Sequence, residues 1–409
     1  MIGFLIKNKK FAISNQNHKG DGINIIANGF ILLYCLDGLL SFIDDLTPGI
    51  PVLSVLRKVV AGCCLLGAIA MYVMMAVTPR LPKRIFFPPI FYLLFSSLTA
   101  GMPLTIYFGW QTSLSIISGL QLCIGLLTMA QIRYLTPARR WLLTDAVFRG
   151  PSFRWANTLG FIGVNIALIL PGTILYFILC LSIAVSHLTV GFLHLKPGGL
   201  EAEAREYVRG PKTVHLVPMV HIGEKTFYTD IGQAYTGRQT VVIMEGITDT
   251  NKCLQSFRNV HQKLASTLKL DAQQANLFTN QAVIHHADVD ASAFSPETLR
   301  MMNAFGAVFQ ARTQPEVWVA LARYQNEFNG DLTATLKTLK HDLFDERNRH
   351  CAVAMEAALA EYDCLIVSWG AAHMPCFEQF FFDQGFELSQ ITRRMVVHFS
   401  QQTGDRTPP

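Results

Sequence analysis

Two stretches of similar design decide the fold of the second half of this 409-residue chain: Thr213-Val-His-Leu-Val-Pro-Met-Val-His221 and Cys364-Leu-Ile-Val-Ser-Trp-Gly-Ala-Ala-His373. Each begins as a short apolar run, typical of a buried strand, ends in a histidine and precedes a segment with helical character. A third apolar run, Thr240-Val-Val-Ile-Met-Glu245, ends in a carboxylate. Strands that alternate with helices predict an α/β domain with a central mixed sheet and a duplicated strand–His–helix unit.

The three polar residues that end these runs form a candidate metal site. In open α/β sheets, ligands bind beyond the carboxyl ends of the strands, where we expect His221, Glu245 and His373 to lie. Imidazole and carboxylate donors suit a divalent ion, but these donor types do not identify which of Mn, Co, Zn and Fe is bound. Alternatively, the histidines are strand-tip residues satisfied by the backbone. Glu245 could also pair with Arg347, or act as a general base while the histidines hold the metal.

The remaining patterns of the second half predict a run of further elements. We expect a linker with a short helix at 196–212, helices at 224–235, 252–268, 315–328, 332–362 and 377–383, a helix that begins at Ser295 and includes Phe309, and strands at 213–217, 240–245, 282–284, 364–369 and 394–399. Ser295-Pro296-Glu297 combines an N-cap serine, a first-turn proline and an early acid, which together indicate a helix start.

The first half of the chain has the composition of a membrane protein. A membrane-spanning helix needs about 20 apolar residues, and runs at 23–43, 59–77, 86–108, 112–132 and 156–186 qualify. The domain order that we predict is a cytoplasmic N-terminal segment (1–22), a multi-pass membrane module of about five helices (23–195), the α/β domain (196–400) and a disordered tail (401–409). A lipid bilayer is therefore an expected partner.

The distribution of basic residues predicts the orientation. With the N-terminus inside, 12 Lys and Arg flank the helices on the inner side against two, Arg57 and Lys58, on the outer side. By the positive-inside rule, the C-terminal domain is extracytoplasmic, and we expect the protein in a bacterial inner membrane. Residues 1–195 carry 14 Lys and Arg against 5 Asp and Glu, whereas residues 196–409 carry 20 against 24. Because the excess of basic residues flanks the membrane helices, it is not evidence that nucleic acid is a partner.

Asp37 lies within the first predicted membrane helix, and an acid there is by default a functional candidate. The alternative, which we favour, is that Asp37 lies near the helix end, close to Asp44 and Asp45, and reaches water.

Two further groups of polar residues have two interpretations each. His285, His286, Asp288 and Asp290 could be ligands, but we favour an Asx-type turn before the Ser295 helix. In the predicted long helix, Arg347 is a candidate catalytic residue as an anion or carboxylate anchor, whereas Glu346 and Arg349 are candidates for solvated charges. Serine-hydrolase elbows, Walker loops and His-Glu-x-x-His motifs do not occur in the sequence, which argues against those enzyme classes.

Several of these motifs together resemble the TraB/PrgY/GumN–TIKI family, which is similar to the erythromycin-esterase-like and ChaN-like superfamily. The resemblance covers about residues 213–399 and rests on the first strand with its histidine, Met244-Glu245, His286-Ala-Asp-Val-Asp290, Glu346-Arg-Asn348 and Gly370-Ala-Ala-His373-Met-Pro375. It implies metal-dependent peptidase activity on extracellular proteins, as in the TIKI branch, or a role in limiting peptide pheromone signalling.

The resemblance also implies roles for individual residues. Gly370 and His373 fit the second Gly-x-x-His unit of the family, Glu245 fits the family acid, and Arg347 fits the Glu-Arg-Asn motif. The first unit reads Pro218-Met219-Val220-His221, so its histidine is kept and its glycine is absent. Glycine permits positive φ, whereas proline fixes φ near −65°, so we expect the turn before His221 to differ.

Three functions follow from these patterns. The first is a membrane-anchored, metal-dependent hydrolase, a peptidase acting on a peptide or protein at the outer face of the membrane. The second, motivated by the absent glycine, is a non-catalytic binding protein that sequesters a peptide signal. The third, motivated by Asp37 alone, is a transporter or sensor built on the membrane module.

Overall fold

The computed structural model describes residues 22–47, 49–101, 103–136, 139–148, 150–235, 240–273, 277–278, 283–327 and 332–399. The chain forms two compact units that divide between Cys180 and Leu181, whereas composition predicted a boundary between 195 and 196. Of the predicted N-terminal segment only Gly22 is among the described residues, and the predicted tail lies outside them.

The first unit consists of long apolar helices. They are α1 (Ile23–Leu46), α2 (Pro51–Val77), α3 (Lys83–Gly101), α4 (Leu104–Phe108), α5 (Trp110–Leu135), a 3-10 turn (Asp145–Val147), and α6 (Trp155–Val164), which continues through a π turn (Asn165–Ile169) into α7 (Leu170–Leu188). Within the described residues, α1, α2, α5 and the continuous helix Trp155–Leu188 are long and apolar enough to cross a membrane.

Two details of the predicted membrane module are wrong. The run 86–108 does not form one helix, because α3 ends at Gly101 and α4 begins after Pro103, whose ring cannot continue a helical hydrogen-bond ladder. Arg57 and Lys58, which precede the apolar run predicted at 59–77, lie in α2, which begins at Pro51.

The helix ends of this unit meet at two opposite ends of the bundle. At one end, Asn28 exchanges two hydrogen bonds with the backbone of Leu143, at 2.9 and 2.8 Å, and the Nε of Arg80 donates to the carbonyl of Gly150 at 2.9 Å. At the other end, the amide of Gln111 donates to the carbonyl of Asp45 at 2.7 Å. The segment from α3 through α4 therefore runs the length of the bundle, although α3 is not among the four helices above.

Asp37 lies inside the bundle rather than near water, so the interpretation that we favoured is wrong. The residue is 2% exposed, and the side chain of Gln121 donates to its Oδ2 at 2.8 Å. The reason is that α1 extends to Leu46, beyond the predicted end at 43, which leaves Asp37 well within the helix.

The second unit contains the predicted mixed sheet. Its strands are β1 (Leu193–Lys196), β2 (Gly199–Arg209), β3 (Lys212–Met219), β5 (Thr240–Met244), β7 (Val283–His286), β8 (Cys364–Gly370) and β9 (Glu387–His398), and β4 (Ile222–Gly223) pairs separately with β6 (Asp271–Ala272). Strands β3, β8, β5 and β7 are neighbours in that order and run parallel. Strand β2 pairs antiparallel with β1, β3 and β9.

Helices cover both faces of this sheet. The helices of the described part of this unit are α8 (Lys225–Ala234), α9 (Val260–Leu268), α10 (Pro296–Gln310), α11 (Gln314–Glu327), α12 (Leu332–Lys340), α13 (Arg347–Glu361) and α14 (Met374–Asp383), with a π turn (His341–Glu346) that joins α12 to α13. Phe377 and Phe381 of α14 pack with Val367 on one face, and Phe227 of α8 packs with Val242 on the other. Each such fully buried side chain contributes about 1.5–3 kcal/mol.

The helix and linker predicted at 196–212 are replaced by β1 and β2. Alanine, glutamate and arginine in Gly199–Arg209 favour helices intrinsically. Pairing with β3 and β9 overrides that preference, because it buries Ala202, Ala204 and Tyr207. Other predicted elements are present with shifted ends. Of the helix predicted at 252–268, only the second half forms, as α9. The last strand begins at Glu387 instead of at the predicted residue 394.

Candidate functional site

Four ionisable side chains follow the carboxyl ends of the four neighbouring parallel strands of the sheet. His221 follows β3, His373 follows β8, Glu245 follows β5 and Asp288 follows β7. Because the strands are parallel and adjacent, these residues share one edge of the sheet. The sequence predicted three of the four, and Asp288 was assigned to a turn.

Arg347, the first residue of α13, connects the two carboxylates of this edge. Its Nη2 lies 2.5 Å from Oε1 of Glu245 and 2.7 Å from Oδ2 of Asp288, and its Nε donates to Oδ1 of Asp288 at 2.9 Å. The three side chains are 8%, 7% and 0% exposed, respectively. The predicted pairing of Glu245 with Arg347 is therefore present, with Asp288 as a second, bidentate partner.

The carboxylate of Glu245 is fixed on its other side by the backbone. Its Oε2 accepts a hydrogen bond from the amide of Gly370 at 2.6 Å. A Cβ atom at Gly370 would lie 3.0 Å from the same oxygen, so glycine is needed here for close approach. Burial alone would raise the pKa of Glu245, but the adjacent Arg347 guanidinium outweighs it and keeps the pKa below its usual range.

His373 is held as a neutral imidazole. Its Nδ1 lies 2.6 Å from Oδ1 of Asn348, and its Nε2 lies 3.3 Å from Nη1 of Arg347. Since the guanidinium can only donate, Nε2 is the acceptor and the proton is on Nδ1. Burial, together with the positive charge of Arg347, lowers the pKa of His373 to about 4.

His221 has a different neighbour, His261, which no sequence motif predicts. The two rings are 4.4 Å apart between centroids and tilted by 33°. His261 belongs to α9, is half-buried, and contacts Phe257 edge-on at 5.7 Å. Burial, and secondarily the neighbouring His221, lowers the pKa of His261 to about 4. No spacing in the sequence relates α9 to β3, so this contact is visible only in the fold.

The two strand–His units are similar in connectivity but not in register. Gly370 pairs with Met219, and Pro218, which occupies the glycine position of the first unit, pairs with Trp369 inside the sheet. His373 directly precedes α14, whereas β4 intervenes between His221 and α8. The turn before His221 thus begins after Met219, as one expects where proline replaces the glycine of the motif.

The predicted ligand set His221, Glu245 and His373 is not assembled as a metal site. Among the described residues, no three His, Cys, Asp or Glu side chains are grouped so that they could hold an ion. His373 Nε2 and Glu245 Oε1 are 3.9 Å apart, but Arg347 contacts both atoms. Among the described residues, His221 and His261 contact each other through their rings, and their imidazoles take part in no hydrogen bond or ion pair.

The neighbouring polar residues are structural. The carboxylate of Asp290 accepts hydrogen bonds from the amides of Ser292 and Thr250, at 3.0 and 3.1 Å, which confirms the Asx-type turn for this residue. His285 and His286 are exposed on β7. Glu346 pairs with Arg349, whose side chain is 67% exposed, so this pair is solvated as expected.

A cavity of about 270 Å³ lies elsewhere, at the opposite end of the sheet. It is lined in part by Thr240 and Cys364, the first residues of β5 and β8, and by His215, Tyr235 and Arg394. A cavity is a common location for a binding site, but the carboxyl edge of the parallel strands carries the converging ionisable residues. We therefore place the candidate site at that edge.

The fold and the site define an α/β unit with an ionisable cluster at the carboxyl edge of its sheet, preceded by a unit of long apolar helices. No family model matches the chain, and no curated protein or solved structure is significantly similar to it. The resemblance to the TraB/PrgY/GumN–TIKI family stays a prediction that rests on the quoted motifs.

Proposed function

We propose that this protein is a membrane-anchored hydrolase that cleaves a peptide or protein at the outer face of a membrane with the help of a divalent ion. The observation that supports it is that His221, His373, Glu245 and Asp288 follow four adjacent parallel strands, and that the last three of these contact the buried guanidinium of Arg347. Buried ionisable groups with shifted pKa values that meet at the carboxyl edge of a sheet are typical of active sites.

Glu245 is the general base of this proposal. Its pKa is kept below the usual range, so at neutral pH the carboxylate is ionised and can accept a proton from an attacking water. Arg347 and the Gly370 amide fix its two oxygens, which sets the direction of proton transfer. A divalent ion beside Glu245 would polarise the scissile carbonyl and lower the pKa of water, and Mn, Co, Zn and Fe all suit imidazole donors.

Arg347 is a positioning residue rather than a substrate anchor. All three of its nitrogens contact groups of the protein: Glu245, Asp288, His373 and the carbonyl of Leu343. Binding a substrate carboxylate would require some of these contacts to break, and the side chain is only 8% exposed.

The helical unit supports the membrane part of the proposal. Along the helix Trp155–Leu188 most side chains are apolar and more than half are exposed, as lipid-facing residues are; Leu168 and Leu175, for example, are 66% and 68% exposed. Basic residues concentrate near one end of the bundle, at Arg80, Lys83, Arg84, Arg139 and Arg140, and by the positive-inside rule this end faces the cytoplasm.

One observation favours a second candidate function, a non-catalytic protein that binds and sequesters a peptide. Both carboxylate oxygens of Glu245 are already hydrogen-bonded within the protein. A base that must accept a proton from water would have to share an oxygen with one of these donors.

The test uses the full chain in lipid nanodiscs, incubated with a complex peptide mixture and divalent ions, with cleavage measured by mass spectrometry. We expect new peptide ends that disappear in Glu245→Gln and in His221→Ala, whose side chain is exposed. Glu356→Gln, an exposed glutamate of α13, is the matched control. Cleavage that persists in Glu245→Gln would remove the hydrolase proposal, and peptide binding without cleavage that survives EDTA would favour the sequestering protein.

A further inference from the structure

The cavity of about 270 Å³ at the amino end of the parallel strands has no part in the proposed function. It lies on the face of the sheet that α8 covers, because its lining includes Ile366 of β8, which belongs to the same buried cluster as Phe227 of α8. Tyr235, the residue that ends α8, lines it as well. Pockets for drug-sized ligands measure about 300–1,000 Å³, so this cavity suits a somewhat smaller molecule.

Strand alternation places several polar side chains on the same wall of the cavity. Successive side chains of a strand point to opposite faces of a sheet, so Gln390, Thr392 and Arg394 of β9 share the face that lines the cavity. Glu206 of β2 lies between two of these lining residues, since it pairs with Gln390 on one side and with His215 of β3 on the other. Three neighbouring strands therefore hold the polar groups of this wall in fixed positions.

Arg394 supplies a positive charge at one end of this wall. Its guanidinium lies over the ring of Tyr235, 5.5 Å from the ring centroid. Among the described residues, no carboxylate forms an ion pair with this half-buried side chain. The planar fork of a guanidinium matches the two oxygens of a carboxylate. This end of the cavity is therefore suited to a carboxylate of a ligand.

Glu206 supplies a negative charge at the other end. Its Oε2 lies 3.6 Å from Nδ1 of His215, whose ring packs against Tyr235 at 5.1 Å between centroids. Burial lowers the pKa of His215 more than the nearby Glu206 raises it, so the imidazole is uncharged at neutral pH and does not neutralise the carboxylate. In the described part of the chain, no lysine or arginine pairs with Glu206. This carboxylate is therefore suited to an ammonium group of a ligand.

The distance between the two charges limits the kind of ligand. Arg394 pairs with Ala202 and Glu206 pairs with Gln390, so four residues separate the charges along the strands. At about 3.4 Å per residue their α-carbons are about 14 Å apart, and the two long side chains shorten the gap. A free amino acid has both charges on one carbon, which is too close for two groups this far apart. A dipeptide separates its charges by two extended residues, about 7 Å.

We propose that this cavity binds a free dipeptide, with the carboxylate of the ligand on Arg394, its ammonium on Glu206 and its side chains against Tyr235 and Ile366. The site is separate from the candidate active site at the carboxyl edge of the sheet. Its binding of a dipeptide does not depend on the proposed hydrolase function.

The experiment measures binding by calorimetry with the full chain in detergent micelles and in EDTA, so that metal-assisted cleavage adds no heat. The probes are alanylalanine, its N-acetyl derivative, which lacks the ammonium, and its C-terminal amide, which lacks the carboxylate. Arg394→Gln and Glu206→Gln remove the two charges of the cavity. Arg323→Gln, an exposed arginine of α11, is the matched control, and Glu245→Gln tests for binding at the other edge of the sheet.

We expect one alanylalanine per chain, bound at least about tenfold more tightly than either blocked probe, because each block removes a charge-assisted hydrogen bond. Arg394→Gln should weaken alanylalanine at least about tenfold but leave the amide within about twofold, since the amide has no carboxylate to lose. Glu206→Gln should behave in the same way toward alanylalanine and the N-acetyl probe. Arg323→Gln and Glu245→Gln should bind alanylalanine as the unchanged chain does.

Three results would overturn the inference: no binding of alanylalanine to the unchanged chain, equal binding of the three probes, or a loss in Glu245→Gln without one in Arg394→Gln. The last result would put the dipeptide at the carboxyl edge. An Arg394→Gln chain that aggregates is replaced by Arg394→Lys, which should still bind alanylalanine more weakly than the unchanged chain because an ammonium lacks the planar fork. Peptide cleavage is measured separately with divalent ions, so the hydrolase proposal stands or falls by its own assay.

Discussion

At the scale of single residues, the candidate site depends on one guanidinium that pairs with two buried carboxylates. Breaking a buried ion pair by removing one partner typically costs about 3–5 kcal/mol, because an uncompensated charge is left behind. For Arg347 the effect extends to Glu245, Asp288 and His373. The same side chain therefore determines both the stability of the edge and the ionisation of the proposed base.

The first prediction concerns this guanidinium. Replacing Arg347 by methionine should lower the free energy of unfolding of the second unit by about 3–5 kcal/mol. This corresponds to a drop of roughly 6–20 °C in the midpoint of thermal unfolding. Arg349→Met, on the same helix but with a 67% exposed side chain, should change it by less than about 0.5 kcal/mol. Equal midpoints for the two variants, measured by circular dichroism, would show that Glu245 and Asp288 do not depend on Arg347.

A second prediction concerns Gly370. A methyl group there would lie 3.0 Å from Oε2 of Glu245 and would push the carboxylate away from the Gly370 amide. We expect Gly370→Ala to cost about 1–3 kcal/mol of stability and to lower peptide cleavage at least tenfold if Glu245 is the base. Gly246→Ala is the matched control, because a Cβ at Gly246 meets nothing within 4 Å. Chemical unfolding and the cleavage assay check both effects, and wild-type behaviour in Gly370→Ala would contradict the close approach.

The residues of the site show what the sequence can and cannot predict. His221, Glu245 and His373 were predicted because each directly follows an apolar strand run. Asp288 and His261 reach the site only through tertiary contacts: Asp288 because Arg347 of a distant helix pairs with it, and His261 because α9 packs beside β4 and β6. No spacing of residues in the sequence predicts either contact.

At the scale of elements, the predictions failed where local hydrogen bonds or strand pairing compete with intrinsic preference. Residues 252–259 have a helical pattern, but the carboxylate of Asp249 accepts hydrogen bonds from the amides of Cys253 and Leu254, and the helix starts only at Val260. Side-chain oxygens that bond to nearby amides favour turns over helices. The N-cap at Ser295, in contrast, was predicted correctly, because its signal is entirely local.

The start of α10 also carries a contact between distant elements. Asp342, in the π turn between α12 and α13, accepts hydrogen bonds at Oδ2 from the amide and hydroxyl of Ser295 and from the hydroxyl of Thr298, at 2.8, 2.6 and 2.6 Å. Burial raises the pKa of Asp342, but the hydrogen bonds from Ser295 and Thr298 outweigh it, and the net shift is downward. The carboxylate form is thus favoured by folding.

The third prediction is the pH dependence that follows. A carboxyl whose pKa is lowered in the folded state stabilises the fold at pH values above its unfolded pKa, about 3.9 for aspartate. That stabilisation is lost as pH falls through the lower, folded pKa. Asp342→Asn should therefore destabilise the second unit at pH 7, and the difference from the unchanged chain should shrink below about pH 4.

Thermal unfolding between neutral and acidic pH measures this difference. Asp345→Asn is the control, because Asp345 lies in the same turn with a 53% exposed side chain and pairs only with Lys340 among the described residues. A deficit in Asp342→Asn that stays constant down to the lowest pH would mean that the lost hydrogen bonds, rather than the charge, account for the stability.

At the scale of the whole molecule, the separation of charge argues for a defined orientation in a membrane. Residues 1–195 hold 14 Lys and Arg against 5 Asp and Glu, and residues 196–409 hold 20 against 24. Composition alone indicated the helical half and the α/β half. The long uncharged runs of the first half and the mixture of charged and apolar residues in the second half each extend over many residues. The end of α3 at Gly101 and the start of α2 at Pro51 depend on single residues and were missed.

The last prediction tests the side on which the α/β unit lies. The helix Trp155–Leu188 starts at the basic end of the bundle, where Asn157 donates to the carbonyl of Ala76 at 2.8 Å. Its 34 residues are about 51 Å long at 1.5 Å per residue, which exceeds the about 30 Å hydrocarbon core. With the basic end in the cytoplasm, the residues that follow this helix emerge outside.

Labelling of single cysteines in cells distinguishes the two sides. The exposed cysteines Cys63, Cys123 and Cys376 are first replaced by serine. A cysteine is then introduced at one of two exposed serines, Ser152 or Ser389. A membrane-impermeant maleimide should label Ser389→Cys in intact cells, and Ser152→Cys only after the membrane is opened. The reverse pattern would put the α/β unit in the cytoplasm, where an extracellular peptide could not reach Glu245. Labelling of both positions in intact cells would mean that residue 152, and with it the basic end, is not cytoplasmic, and the positive-inside argument would fail for this chain.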